Sequence, residues 1–75
     1  MPGGAQLVVE YQDLLDRTAE LVREFHPHLS AGAVIATVVG CREELRRTGL
    51  RRGLATATEA MARARLQMCT SQRTA

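Results

Sequence analysis

The sequence predicts an all-α fold, a three-helix bundle with helices over about 7–25, 31–48 and 54–69. Three observations predict it. Apolar residues recur at alternating spacings of three and four in three separate stretches, the mark of helices with one buried stripe. Breakers fall between those stretches: Pro27 after the first, Gly49 and Gly53 after the second. The chain has 75 residues, which is one small domain at most. Short connections between three such helices imply an up-down-up packing of neighbours.

In the first stretch Leu7, Tyr11, Leu14, Thr18, Leu21 and Phe25 form the seam, widened by Val8, Leu15, Ala19 and Val22. Glu10, Asp13, Arg17, Glu20 and Glu24 occupy the other face. Asp13–Arg17 and Glu20–Arg23 have the four- and three-residue separations that let opposite charges meet on a helix. Pro27 disfavours helical geometry at His26 and lacks a donor, so the helix is expected to stop near Phe25.

Ser30 is a suitable N-cap for the second helix, because its hydroxyl can accept from a free first-turn amide. Val34, Val38, Cys41 and Leu45 make the seam, and Ala31, Ile35, Thr37 and Val39 widen it. The β-branched run 34–39 also suits a strand; length and the Glu43–Arg47 pair favour helix. Gly32, Ala36 and Gly40 form a stripe of small residues. Two interior glycines cost roughly 1 kcal/mol each against Ala, a loss that the close approach of another helix would offset. Gly49 fits the residue just past the helix end, with Arg46 and Arg47 complementing the negative terminus.

For the third helix, Leu54, Ala57, Met61, Ala64 and Met68 are the expected seam, with Ala62, Leu66 and Cys69 beside it; Met61 and Met68 read as core filler. Thr56-Ala57-Thr58-Glu59 matches a capping box, although a start near Leu54 is also compatible with the pattern. Residues 1–5 are expected to be a flexible leader, 6–69 the single domain and 70–75 a flexible tail.

Composition narrows the function classes. The chain is too short for a catalytic α/β sheet, a barrel or a two-lobed enzyme, and the expectation is a protein that is not an enzyme. All ten basic residues are Arg and none is Lys, in a chain with 11 Ala and a net charge of +2; such usage fits a GC-rich genome. Residues 1–30 carry five acids and two Arg, while 31–75 carry eight Arg and three Glu. That asymmetry suits an acid–base match within or between chains. No basic stretch followed by an apolar one opens the sequence, and the most apolar run, 31–41, is too short to span a membrane. A cytoplasmic protein with reduced Cys41 and Cys69 and no membrane contact is expected.

Two motifs invite chemistry. Cys41 to Gly49 contains a cysteine, five residues, then Arg-Thr-Gly, resembling the phosphate loop of protein tyrosine phosphatases, which sets a thiolate and an Arg around an oxyanion. Glu43 and Glu44 would stand inside that anion cradle, and no Gly or Ser between Cys41 and Arg47 gives it the needed curl. A helix with Cys41 in the core is the better reading. His26-Pro27-His28 offers two imidazoles, but separated by two positions around a proline they do not have a zinc-ligand spacing. No catalytic residue, metal or cofactor is assigned.

The group Arg42, Arg46, Arg47, Arg51 and Arg52 is the candidate anion or nucleic-acid surface. No aromatic residue accompanies it for base stacking. Surplus apolar surface is the other candidate. The three seams offer more of it than a small monomer can hide. Val8, Leu15 and Val22 on the first helix, with Ile35, Val39, Gly32, Ala36 and Gly40 on the second, are the candidate interface of a homodimer.

The stretch Leu21–Ser30, with Val34, Val38, Leu45 and Ala60–Leu66, resembles a small actinobacterial three-helix-bundle dimerisation domain, found alone or ahead of arsenate-reductase domains of the low-molecular-weight phosphatase type. The resemblance covers residues 21–66. It implies a helical dimerisation module that lacks catalytic residues. The function expected is therefore a non-enzymatic interaction module that self-associates. The alternatives are a nucleic-acid-binding regulator or antitoxin-like partner acting through the Arg-rich turn, and an adaptor docking a different protein on an exposed helix face.

Overall fold

Three α-helices carry the chain in a computed structural model that describes the backbone of residues 2–74 and the side chains of residues 11–71: α1 (Pro2–Phe25), α2 (Ala31–Arg47) and α3 (Leu54–Thr74). No strand occurs among the described residues, so the β-branched run 34–39 is helical. The outer helix ends differ from the pattern. Residues expected as leader and tail continue α1 back to Pro2 and α3 on to Thr74. A proline is tolerated in a first turn, where its missing N–H would have had no partner in the helix.

The internal ends follow the local chemistry. Leu29 donates to the Phe25 carbonyl at 3.0 Å, closing α1 over the His26–His28 connection. Ser30 is extended and its hydroxyl accepts from the Ala33 amide at 3.1 Å, which caps α2. Thr48 closes α2, and Gly49 donates to Arg46 with φ +89°, the left-handed conformation only glycine adopts without strain. Gly53, at φ +68°, precedes α3. Thr56 therefore lies inside α3 and caps nothing; its expected partner Glu59 makes ion pairs instead.

The core comprises Leu21, Phe25, Leu29, Val34, Val38, Cys41, Ala62 and Leu66, with Leu14, Val22 and Met61 packed at its edge. α1 and α2 turn inward along most of the seams expected of them: Leu21, Phe25, Val34, Val38 and Cys41 are buried and Leu14, Thr18 and Leu45 half-buried, whereas Tyr11 is exposed and Leu7 lies outside the residues whose side chains are described. α3 does not. Ala55, Thr58, Ala62 and Leu66 face inward, while Ala64 is exposed and Met68 is 63% exposed. The helix is turned relative to its Met-bearing stripe because Leu66 is its bulkiest branched aliphatic beyond the first residue, and burying it fixes the rotation. Met68 is thus not core filler.

Ion pairs tie α3 to both other helices. Arg17 bridges Asp13 at 3.0 Å on its own helix and Glu59 across to α3. Arg63 grips both oxygens of Glu24 at 3.1 Å and reaches Glu59 at 3.4 Å. Arg65 of α3 pairs with Glu44 of α2. Of these pairs, Glu24–Arg63 alone joins an acid of residues 1–30 to an Arg of 31–75, so the acid–base asymmetry is only partly answered among the described residues. Of the local pairs expected, Asp13–Arg17 forms; Glu43 pairs with Arg46 at 3.4 Å rather than with Arg47, and Glu20–Arg23 does not form.

Candidate functional site

α3 packs more extensively on each of the other two helices than those two pack on each other. The consequence is a gap between α1 and α2. It is an open groove of about 330 Å³, lined by Tyr11, Leu14, Leu15 and Thr18 from α1 and by Ile35, Val38, Val39, Arg42 and Glu43 from α2. The lining is mainly apolar. Four of the five large hydrophobic residues exposed on the described surface meet there: Tyr11 at 58%, Leu15 at 49%, Ile35 at 47% and Val39 at 58%.

Helical periodicity explains the gathering. Leu15 and Val39 each stand one position beyond an inward residue, Leu14 and Val38, and so project from the flank of the helix rather than from its buried stripe. Antiparallel connection through the short 26–30 loop then sets the Tyr11–Thr18 flank of α1 opposite the Ile35–Glu43 flank of α2. Leu15, Ile35 and Val39 are brought together as expected of an interface. Tyr11 joins them although its spacing placed it in the seam: it is exposed and lines the groove. Val22 is half-buried against the core and does not belong to the groove. Val8 lies outside the residues whose side chains are described.

The small-residue stripe points outward. A side chain added at Gly32 or Gly40 would meet nothing within 4 Å, and Ala36 is exposed. The close helix crossing expected to offset two interior glycines is not made within the chain.

The charged residues that line the groove, Arg42 and Glu43, both belong to α2. Arg42 lines the α2 wall and makes no ion pair among the described residues. Glu43, at the end of the groove, is held by Arg46.

Cys41 is fully buried, and both cysteines are free. Burial pushes the Cys41 thiol above its ordinary pKa; nearby Arg65, whose guanidinium lies 3.5 Å from the sulfur, only partly opposes this. The Cys41–Arg47 run is helical, so its amides are engaged in the helix instead of curling round an anion, and Arg47 points to solvent. Among the described residues no group of three or more His, Cys, Asp or Glu is placed to hold a metal ion. No described helix is long and apolar enough to cross a membrane. Of the candidate anion surface, Arg46, Arg47, Arg51 and Arg52 are exposed around the α2–α3 turn, while Arg42 is half-buried in the groove.

Sequence reasoning missed the buried Thr58, whose hydroxyl has no hydrogen-bond partner, and Leu29, a loop residue that enters the core. Thr58 carries no chemical pattern that separates it from Thr56. Its burial follows from the rotation of α3.

No family model, curated protein or solved structure matches the chain.

Proposed function

We propose that this chain is a helical self-association module, and that the α1–α2 groove receives the same groove of a second copy. The observation that carries the reading is the convergence of Tyr11, Leu15, Ile35 and Val39, each about half exposed, on one apolar surface. Scattered exposed hydrophobics need no explanation, but a contiguous patch on so small a domain does.

A second copy is the occupant that the lining favours, because each wall is apolar and offers side chains that the other wall can cover: Tyr11 and Leu15 on α1, Ile35 and Val39 on α2. A two-fold axis along the groove sets the α2 wall of one chain against the α1 wall of the other. The contact repeats on both sides of the axis, as an isologous interface requires. Leu15 and Tyr11 of each copy then cover Ile35 and Val39 of the other. The resemblance to a three-helix-bundle dimerisation domain agrees with this reading.

Light scattering behind a sizing column tests it. Twice the chain mass is expected at micromolar concentration. Leu15→Glu with Val39→Glu is expected to give the mass of one chain with unchanged helical circular dichroism, because both positions are surface positions within the monomer. A parent protein that elutes at one chain mass, or a doubly charged variant that remains a dimer, overturns the proposal.

A further inference from the structure

The arginines divide into two populations. Arg17, Arg63 and Arg65 are used up in ion pairs between helices, and Arg46 is paired with Glu43. Arg47, Arg51 and Arg52 are exposed and make no ion pair among the described residues. They stand together in the last residue of α2 and the short connection to α3. The two acids nearest in sequence, Glu43 and Glu44, are already held by Arg46 and Arg65. Arg47 still shares the Glu44 carboxylate with Arg65, while Arg51 and Arg52 have no acid paired with them, so positive charge is in excess at this end of the molecule. α3 adds to the same field, since it begins just after them with no acidic residue in its first turn.

We infer that the α2–α3 turn, through Arg47, Arg51 and Arg52, is a binding surface for the phosphate backbone of duplex nucleic acid. Guanidinium forks match phosphate oxygens in pairs. Gly49 and Gly53, both at positive φ, bracket the turn and keep bulky side chains away from its two ends. A single strand is disfavoured because binding it relies on aromatic stacking: Phe25 is buried and Tyr11 belongs to the groove, so the turn has no ring to offer. An acidic protein segment is disfavoured because the turn exposes no large apolar residue to anchor it; Leu50 is half-buried. What remains is charge alone, which reads a regular phosphate lattice without regard to base sequence. The inference is independent of self-association, which uses the groove.

Fluorescence anisotropy with a labelled mixed-sequence DNA duplex, titrated with the full chain over a salt series, tests it. Binding is expected at low salt and is expected to weaken with salt, the logarithmic slope being about −3 per chain if all three residues meet phosphates. Arg47→Ala, Arg51→Ala and Arg52→Ala together are expected to weaken binding at least tenfold while helicity and solution mass stay as in the parent. Absence of binding at low salt overturns the inference, as does a triple variant that binds like the parent. Displacement of the duplex by polyglutamate at matched charge overturns it in favour of an acidic protein partner.

Discussion

At Thr58 a hydroxyl is enclosed with no partner, and at Cys41 a thiol is enclosed by the core with the Arg65 guanidinium 3.5 Å from its sulfur. The two burials have opposite consequences. An orphaned hydroxyl gives up its hydrogen bonds to water for nothing, so Thr58→Val, which keeps the shape, is expected to stabilise the fold by about 1 kcal/mol and raise the thermal midpoint. A thiol loses little in the same setting. Cys41→Ser, which installs a stronger hydrogen-bonding group on a shorter bond that draws it away from Arg65, is expected to cost about 1–3 kcal/mol. Thiol labelling of the native protein should be fast at exposed Cys69 and slow at Cys41; equal fast labelling would contradict the placement of α2. Glu44 shows the effect of pairing. Its hydrogen bond to Arg65 holds its carboxyl below the ordinary carboxylate range. The stabilisation is therefore present above the unfolded pKa and is lost as pH falls through the folded one. Glu44→Gln should flatten the decline of thermal midpoint on acidification, by a small amount because the pair is solvent-exposed.

At the scale of elements, how much was legible depended on side-chain size. The seams of α1 and α2 are written in Leu, Phe and Val, and Leu21, Phe25, Val34, Val38 and Cys41 are buried as the spacing says. In α3 eleven of the 21 positions are Ala, Thr or Met, spread over more than one face, so period alone did not choose between the Met61–Met68 stripe and the Ala62–Leu66 stripe. The internal caps at Ser30 and Gly49 were legible because their chemistry is local. Glu59 was not, because its partner Arg17 lies 42 residues away. The glycines of α2 and the turn separate by backbone geometry. At Gly40 there is room and ordinary helical backbone, so Gly40→Ala is expected to raise stability by about 0.5–1 kcal/mol. Gly49→Ala is expected to lower it, since the residue is held at φ +89°. Thermal melts of the two variants should move in opposite directions.

For the whole molecule the question is how so little core holds three helices. Phe25 is its one aromatic side chain, and Ala supplies two of the nine buried apolar residues among those described, so the volume available to a monomer is small. Of the candidate interface, the flank positions Leu15, Ile35 and Val39 were legible as surplus on an already sufficient seam. The groove itself was not, because it arises from the unequal packing of α1 and α2 against α3. Covering about 600–800 Å² per chain would contribute a gross 15–20 kcal/mol at about 25 cal/mol per Å², before association entropy and side-chain ordering are subtracted. Folding would then be linked to association. The thermal midpoint of the parent is expected to rise with protein concentration, and that of Leu15→Glu with Val39→Glu to be independent of it.

The up-down-up path has a mechanical consequence. Because α1 and α3 run in the same direction, the backbone enters the bundle at one end and leaves it at the other. Tension applied along the chain drags these helices past each other lengthwise. The Arg17–Glu59 and Arg63–Glu24 bridges lie across that sliding surface and are strained together rather than one after another. The bundle is thereby built to resist stretching better than peeling, and an optical-trap measurement should find a rupture force that falls when both bridges are removed by Arg17→Met and Arg63→Met.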